Sequence, residues 1–358
     1  MQRDLVTVTL VTFNSSPFID RCLQAVFQQE YRPLEVIVVD NASQDDSRSI
    51  LSRYQRRIHL IENNKNVGFA AAQNQAIAAS LGQWILTLNP DVLIQPGFIE
   101  HLVAAAEMDA RAGAACGKLL RIGRDFAIPD EPRIDSTGMY FTPDMRHFDR
   151  GWNRPDGPRF ERVEYVFGAC AAAALYKRAM IADVSQQDGF FDPDFFTYRE
   201  DADVAWRAQL LGWRCIYTPQ ATAYHVRTLI PGPRPAVPAI FNMHSVKNRF
   251  LMRVKNMTGD LYQRYWLRAT ARDLLVIGAC LLLEPASLPA FWRAALCLPR
   301  AIAKRRIIMK RRRASDEYMA SWFRGSQASH PLKTRRFRGS RAVSSPAGPS
   351  AGPPIRTI

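Results

Sequence analysis

Two adjacent acids, Glu200 and Asp201, stand at the start of a helical pattern. They lie in the stretch FFTYREDADVAWRAQLLGW at residues 195–213. Apolar residues then recur at helical spacing, so both acids fall in the first helical turn. Compensation of the helix dipole would explain one or two acids there, but not the aromatic residues before them. A carboxylate held beside an aromatic wall could act as a general base toward a substrate hydroxyl.

A third acid, Asp91, follows an apolar strand pattern in WILTLNPDVLI, where Asn89 and Pro90 interrupt the run. Taken alone it could be a turn or helix-capping residue. His225 ends another strand pattern, and a single histidine is more often structural than a ligand. If the two lie opposite each other, their carboxylate oxygen and imidazole nitrogen would suit Mn²⁺ or Mg²⁺ carrying a diphosphate.

Strand and helix patterns alternate through the first half of the chain. Apolar, β-branched runs at 5–13, 34–40, 58–62 and 83–89 are separated by helical patterns. This alternation predicts an α/β domain with a mainly parallel sheet. In such sheets ligands bind beyond the carboxyl ends of the strands. Thr12 and Asn14 follow the first strand there, and Asp40 ends the second.

A glycine at a helix start adds a possible phosphate site. Gly68 lies in NNKNVGFAAAQN at residues 63–74, where free backbone N–H groups and the helix dipole would favour an anion. The segment is not GxGxxG, and no glycine fingerprint of that kind follows the first strand. This weakens the hypothesis of a dinucleotide-dependent dehydrogenase.

The positive charge is concentrated at the C-terminus. The formal charge is +15, and from Arg300 onward 15 Lys and Arg face two acids, Asp316 and Glu317. The run LPRAIAKRRIIMKRRR at 298–313 predicts attachment to an anionic membrane surface, since each cation near such a surface contributes about 1 kcal/mol. A solvated tail is the alternative. Nucleic acid is not expected, because no aromatic residues interleave with the basic run as stacking platforms.

Cysteine usage and hydropathy bear on the compartment. The six cysteines are scattered without paired spacing, which predicts reduced thiols. The N-terminus shows no signal-peptide pattern. The longest apolar run near the C-terminus, LLVIGACLLL at 274–283, is about half the length of a bilayer span. We therefore expect a cytoplasmic protein that is peripheral on the inner face of the cytoplasmic membrane.

Seven segments in fixed order carry a family resemblance: VTLVTFN, VIVVDNAS, NKNVGFAAAQN, LNPDV, FGAC, FFTYREDADVAWRAQLLGW and the following His225. Together they resemble family 2 glycosyltransferases of the GT-A fold, in the branch of bacterial rhamnosyltransferases. The resemblance covers about residues 5–228. It implies a mixed α/β sheet with flanking helices over 1–228. We expect a helical, membrane-associating extension over 229–313 and a basic, disordered tail over 314–358.

The resemblance also assigns roles to individual residues. Asp201 would be the catalytic base, with Glu200 positioning the acceptor. Asp91 occupies the last position of the family's DxD motif and would meet a divalent metal, Mn²⁺ or Mg²⁺, with His225 completing the protein ligands. The remaining residues would bind the nucleotide sugar: Thr12, Asn14, Asp40, Asn66, Gly68, Asn74 and Asn89. Because Asn89 replaces the first acid of DxD, we expect weak metal binding that depends on the nucleotide.

The implied activity is an inverting, metal-dependent transfer of a sugar in cell-surface polysaccharide synthesis. The donor would be dTDP-rhamnose or a similar nucleotide sugar, and the acceptor a glycan or a polyprenyl-diphosphate-linked saccharide. Two alternatives stay open: a GT-A transferase that uses a UDP-sugar, and a non-catalytic protein that binds nucleotides or polyanions. Residues 121–160 and 229–250 are expected to select the acceptor.

Overall fold

The computed structural model describes residues 3–227, 238–325 and 328–332. The first half alternates strands and helices as predicted. Its elements are β1 Val6–Thr12, α1 Ile19–Phe27, β2 Leu34–Asp40, α2 Ser47–Ser52, β3 His59–Glu62, α3 Phe69–Ala79, β4 Trp84–Leu88, β5 Val92–Ile94 and α4 Phe98–Glu107.

The second half adds short strands and longer helices. Its elements are β6 Ala112–Arg121, β7 Arg133–Ser136, β8 Met139–Phe141, β9 His147–Asp149, β10 Glu164–Val166, β11 Ala173–Lys177, α5 Arg178–Val184, α6 Glu200–Leu210, β12 Arg214–His225, α7 Ala239–Asn256, α8 Gly259–Leu282, α9 Pro289–Arg311, α10 Asp316–Ser321 and β13 His330–Pro331. The predicted loops or short hairpins over 121–160 include β7 and the β8–β9 hairpin.

One mixed sheet organises the chain. Its strand order is β13-β10-β12-β6-β11-β4-β1-β2-β3, with β5 pairing to β12 and β7 to β6. Strands β4, β1, β2 and β3 are parallel, as their apolar runs predict, whereas β11 runs antiparallel to both β4 and β6. Parallel strands need both faces covered, and each face has its own apolar cluster. Side chains of α1 and α4 cover one face, and those of α3, α5 and α6 cover the other.

The C-terminal helices pack on the sheet domain. Met252 and Leu261 join the cluster that contains Trp206 of α6. The prediction of a disordered tail from residue 314 is wrong for residues 314–325, where α10 forms and Trp322 and Phe323 are buried beside Trp206. These two aromatic residues bury enough apolar surface to pack this segment on the domain, although the sequence around them is mostly polar. Residues 333–358 lie outside the described part of the chain.

No single helix among the described residues is long and apolar enough to cross a bilayer. The stretches Gly259–Leu282 and Pro285–Arg311 meet the length and composition requirement only as a pair, and they are bent by 116° where they meet.

Candidate active site

Strand pairing brings Asp91 and His225 together from positions far apart in the chain. His225 ends β12 opposite Val92 of β5, and the Val226 N–H donates to the Asp91 carbonyl at 3.0 Å. The His225 Nε2 atom then lies 3.3 Å from Asp91 Oδ1. Both side chains are buried. An oxygen and a nitrogen at this separation can share one metal ion.

A second carboxylate orients the imidazole. Asp135, at 0% exposure in β7, accepts a hydrogen bond from His225 Nδ1 at 2.8 Å. Burial alone would lower the pKa of His225, but Asp135 and then Asp91 outweigh it and raise this pKa to about 10. A carboxylate on the far nitrogen fixes the tautomer and turns Nε2 toward a ligand position. Sequence reasoning missed Asp135, because it lies in the Pro/Gly-rich stretch that carried no periodic signal.

Arg227 extends this network. Its guanidinium lies 3.1 Å from Asp135 Oδ1 and 2.6 Å from Asp149 Oδ2, and it stacks over the Trp152 ring at 4.4 Å. Asp149 ends the β8–β9 hairpin, so Arg227 ties that hairpin to the end of β12. The stretch at 121–160, which is expected to select the acceptor, therefore contributes the buried Asp135 and the Asp149 that binds Arg227.

Glu200 and Asp201 begin α6, as the periodicity predicts. Asp201 accepts hydrogen bonds from the N–H of Ala171 at 3.3 Å and from its own neighbour Ala202 at 2.7 Å. Burial is the main cause that raises the pKa of Asp201, to about 6, with a further contribution from Asp149. Burial, and then repulsion from Asp201, raises the pKa of Glu200 to about 8.

No cation compensates this pair directly in the described structure. Glu200 Oε2 is buried without a hydrogen-bond partner among the described residues. A desolvated carboxylate without a cationic partner holds its proton more tightly, and its pKa moves toward neutrality. Such a shift suits a group that must accept a proton near pH 7.

The turn at residues 170–172 joins the two halves of the site. The Asn89 N–H donates to the Ala172 carbonyl at 2.9 Å, and the Ala171 N–H donates to Asp201. The segment that carries Asp91 and the carboxylate of Asp201 are therefore both anchored to consecutive residues. This turn begins at Cys170, the last residue of the FGAC segment, and continues through the two alanines that follow it.

Helix α7 braces the loop in front of Glu200. Phe196, Tyr198 and Arg199 have φ values of 65°, 66° and 70°, which is unfavourable for side chains with a Cβ. Asn248 of α7, fully buried, donates to the carbonyls of Phe195, Thr197 and Tyr198 at 2.9, 2.8 and 2.7 Å. These hydrogen bonds stabilise a loop conformation that is unfavourable for its own backbone.

The ends of β1 and β2 form the predicted edge for a nucleotide. Thr12 and Asp40 are paired in register, and Arg48 lies 2.7 Å from Asp40 Oδ2. Thr12 Oγ1 and Asp40 Oδ1 are buried without hydrogen-bond partners among the described residues. Asn14 is exposed, and its side-chain oxygen accepts from the Gln44 N–H at 2.8 Å, which joins the two loops at this edge.

Asn66, Gly68 and Asn74 have structural contacts of their own. Asn66 Oδ1 accepts from the Gly68 N–H and from Asn41 Nδ2, both at 2.9 Å. Gly68 has φ 86°, and a Cβ there would lie 2.5 Å from the Phe196 ring. Asn74 donates to the Phe191 carbonyl at 2.7 Å and accepts from its N–H at 2.9 Å. Contact of these residues with a nucleotide sugar stays a prediction.

A separate acidic cluster contains Asp188, Asp192 and Asp194, close enough together to hold a metal. Two lysines already form ion pairs with this cluster. Lys304 of α9 lies 2.8, 2.7 and 3.1 Å from the three carboxylates, and Lys255 of α7 lies 2.5 Å from Asp192. These two ammonium groups overcome burial and hold the pKa of Asp192 well below its usual range. The cluster is an ion-pair network that fastens the C-terminal helices to the sheet domain, and we will call it the clasp.

The clasp changes the interpretation of the basic run at 298–313. Besides Lys304, Arg300 pairs with Asp194, and Arg311 and Arg313 pair with Asp183. Five of the cations expected to face a membrane therefore pair with acids of the chain itself, since Arg312 also pairs with Asp316. Arg306 and Lys310 are exposed. Sequence reasoning missed the clasp because Lys255 and Lys304 are 63 and 112 residues from Asp192.

Comparison with known proteins gives the family. Residues 7–184 match Glycosyl transferase family 2. The N-acetylglucosaminyl-diphospho-decaprenol L-rhamnosyltransferase of Mycobacterium tuberculosis is 29% identical over 260 residues, which cover 65% of this chain and 80% of the relative.

Solved structures share the fold. GalNAc-T7 with UDP, GalNAc and Mn²⁺ superposes with a TM-score of 0.57 at 15% identity, over 72% of this chain and 50% of that one. The mannosyltransferase PcManGT from Pyrobaculum calidifontis, with GDP-Man and Mn²⁺, gives 0.50 at 18% identity, over 87% and 86% of the two chains. The predicted mixed α/β GT-A fold is confirmed. The chain belongs to glycosyltransferase family 2.

Proposed function

We propose that this glycosyltransferase transfers a sugar from a nucleotide donor with inversion, and that rhamnose from dTDP-rhamnose is the first candidate. The acceptor would be a glycan or a polyprenyl-diphosphate-linked saccharide of the cell surface. The relative at 29% identity is named for L-rhamnosyl transfer to a diphospho-decaprenol-linked sugar, which supports both choices. The observation that carries the chemistry is Asp201, whose pKa is raised beside the turn that also anchors Asn89.

The donor set fits a divalent cation. Asp91 and His225 offer one oxygen and one nitrogen 3.3 Å apart, with Asp135 orienting the imidazole. These ligands suit Mn²⁺ or Mg²⁺. Two protein ligands leave positions for diphosphate oxygens, in keeping with Asn89 in place of an acid. When bound, the ion would neutralise charge on the leaving nucleoside diphosphate.

The residues of the chain supply the remaining steps. Thr12, Asn14 and Asp40 bind the nucleoside at the ends of β1 and β2, and Asn66, Gly68, Asn74 and Asn89 line the donor pocket. Glu200, protonated at neutral pH, orients the acceptor hydroxyl by donating a hydrogen bond. Asp201 takes the proton from this hydroxyl as its oxygen attacks the anomeric carbon. The nucleoside diphosphate leaves from the opposite face, so one displacement inverts that carbon.

The enzyme works on the inner face of the cytoplasmic membrane in this proposal. A polyprenyl-linked acceptor is confined to a bilayer, and the outward cations of the C-terminal region would favour an anionic leaflet.

A donor screen tests the function. Release of nucleoside diphosphate is measured for dTDP-rhamnose, UDP-sugars and GDP-mannose, with a lipid-linked acceptor, in Mn²⁺ and in EDTA. We expect release from dTDP-rhamnose that EDTA abolishes. Release from a UDP-sugar instead would assign the other donor class, and release from no donor would refute the proposal.

Asp91→Ala should abolish nearly all metal-dependent release in this screen, because Asp91 is the only acid of the LNPDV segment. The matched control is Asp130→Ala, at an exposed acid outside the site. Equal activity of Asp91→Ala and the control would contradict the metal assignment.

A further inference from the structure

The exposed apolar residues of this chain are concentrated on one helix pair. Of the 19 large apolar side chains exposed among the described residues, 14 lie between Tyr262 and Ile307, on α8, α9 and the turn between them. Patches of this kind on a soluble protein mark an interaction site. We call the part around the turn the apolar tip, defined by Leu274, Leu275, Leu281, Leu282, Leu283 and Trp292.

Helix periodicity shows that these residues form a surface rather than scattered exposures. On α8, Leu267, Leu274 and Leu281 recur every seven residues, and Leu275 and Leu282 lie next to them on the same side. The opposite side of α8 buries Ala269, Val276 and Cys280. The second half of α8 is therefore apolar on both sides. This pattern is typical of a helix that is covered on both sides.

The leucine and tryptophan side chains at the apolar tip are strongly exposed. Leu282 and Leu283 are 82% and 74% exposed, and Trp292 is 69% exposed. Glu284, the one acid of the turn, is buried and accepts a hydrogen bond from Ser287 Oγ at 2.9 Å. The turn thus presents apolar side chains outward and keeps its carboxylate inside.

Charge identifies what covers this surface. Residues 261–313 contain twelve Lys and Arg but only two acids, Asp273 and Glu284. Asp273 pairs with Arg249 and Arg253 of α7, and Glu284 is buried. The helix pair therefore carries an excess of cations, of which Arg306 and Lys310 are exposed. Leucine and tryptophan residues bordered by arginine and lysine match the interface of an anionic bilayer.

The apolar tip lies near the loop at residues 195–199, which precedes Glu200 and which we call the catalytic loop. Val276, Cys280 and Ala290, from either side of the tip, pack against Met243 and Val246 of α7. Between those two, His244 stacks on the Phe196 ring with centroids 4.8 Å apart, and Ser245 accepts from Arg199. One helix, α7, thus separates the tip from the residues that precede Glu200 and Asp201.

We infer that the α8–α9 pair inserts its apolar tip into the headgroup and upper acyl-chain region of an anionic bilayer without spanning it. This insertion places the catalytic loop at the lipid surface. This attachment is apolar in its main part, with Arg306 and Lys310 adding electrostatic attraction. It replaces the idea that the basic run alone holds the protein on the membrane. The benefit to catalysis rests on the proposed lipid-linked acceptor, whereas the insertion itself does not.

Vesicle flotation tests the insertion with the full chain and no sugar nucleotide. Vesicles of phosphatidylcholine, with or without an equal part of phosphatidylglycerol, are mixed with the wild type and with the double variant Leu282→Ser, Trp292→Ser. The matched control is Leu81→Ser, Met108→Ser, at residues 73% and 57% exposed outside the helix pair. All four residues are exposed, so the fold should tolerate both changes.

We expect the tip variant to bind phosphatidylglycerol vesicles roughly tenfold or more weakly than the wild type, because two large apolar side chains no longer enter the bilayer. The control should bind like the wild type. Arg306→Glu with Lys310→Glu should weaken binding chiefly at low salt. Brominated lipids should quench the fluorescence of the wild type more than that of Trp292→Phe.

Equal flotation of the tip variant and the wild type would overturn the inference. The inference would also be overturned if light scattering showed that the wild type is a dimer without vesicles and that the tip variant is a monomer. The tip would then bind a second copy of the chain. Failure of the proposed function looks different: transfer to a soluble acceptor would be absent while flotation persists.

Discussion

Asp91 and Asp201 lie on either side of the turn at 170–172, and their surroundings differ in charge. Asp91 faces His225, whose pKa is raised by Asp135 and Asp91. Asp201 faces backbone N–H groups and the acid Glu200. One carboxylate lies beside an imidazole that can carry positive charge, and the other lies in a buried environment that raises its pKa. The same residue type thus occupies two different electrostatic environments.

The largest effect should come from the proton-accepting side. Asp201→Asn keeps the shape of the side chain but removes the base, so transfer should fall by about 10²–10⁴-fold. Binding of the nucleotide donor, measured by calorimetry, should stay within a factor of about two, since Asn can still accept from Ala171. Full activity in this variant would remove Asp201 from the mechanism.

The cation-holding side should respond through its metal. Asp135→Asn leaves His225 with a weaker acceptor on Nδ1, so the Mn²⁺ concentration for half-maximal activity should rise about 10- to 100-fold. Excess Mn²⁺ should restore the rate. Asp201→Asn is the comparison, because no amount of metal should rescue it. If Mn²⁺ fails to rescue Asp135→Asn, the role of Asp135 is not to support the metal site.

The pH profile should report the proton-accepting side. Asp201 must be unprotonated to act as base, and its raised pKa of about 6 places the loss of activity well above the pH range of an ordinary aspartate. The rate under saturating donor should therefore fall about tenfold per pH unit below that value. A rate that stays constant down to pH values near an ordinary aspartate would contradict the predicted environment.

The smallest effect concerns stability. Because the pKa of Glu200 is raised in the folded state, its stabilising contribution is complete below the unfolded pKa and is lost as pH rises through about 8. Glu200→Gln should therefore raise the free energy of unfolding by about 1–3 kcal/mol above that pH, with little change in acid. Denaturant unfolding at two pH values measures this. Arg306→Gln, at an exposed site, should show no such pH dependence.

The sequence predicted the strands and the start of α6 well. Alternating apolar runs marked β1 to β4, and the spacing after Glu200 located the helix that carries both acids. The proximity of Asp91 and His225 required the order of elements in the GT-A fold as well, because β5 and β12 are far apart in the chain. Their distance of 3.3 Å agrees with that expectation, and their role stays a proposal.

The supporting residues could not be predicted in the same way. Asp135 lies in a short strand without periodic signal, and Asn248 looks like any polar residue of an amphipathic helix. Lys304 belongs to a basic run whose charge suggested a membrane contact, although it pairs with three acids, of which Asp192 is buried. In each case the role depends on a contact between distant residues, and local spacing carries no information about such contacts.

The clasp limits how this enzyme can be recombined with its relatives. Lys255 bridges Asp192 and Asp203, and Asp203 also binds Arg207 and lies two residues after Asp201. A chimera that exchanges α7 to α9 for the helices of another family member would leave the buried Asp192 without its two lysines and Asp203 with Arg207 alone. Asp192, Asp203, Lys255 and Lys304 would have to be inherited together, so α6 and the helices α7 to α9 should diverge as one unit.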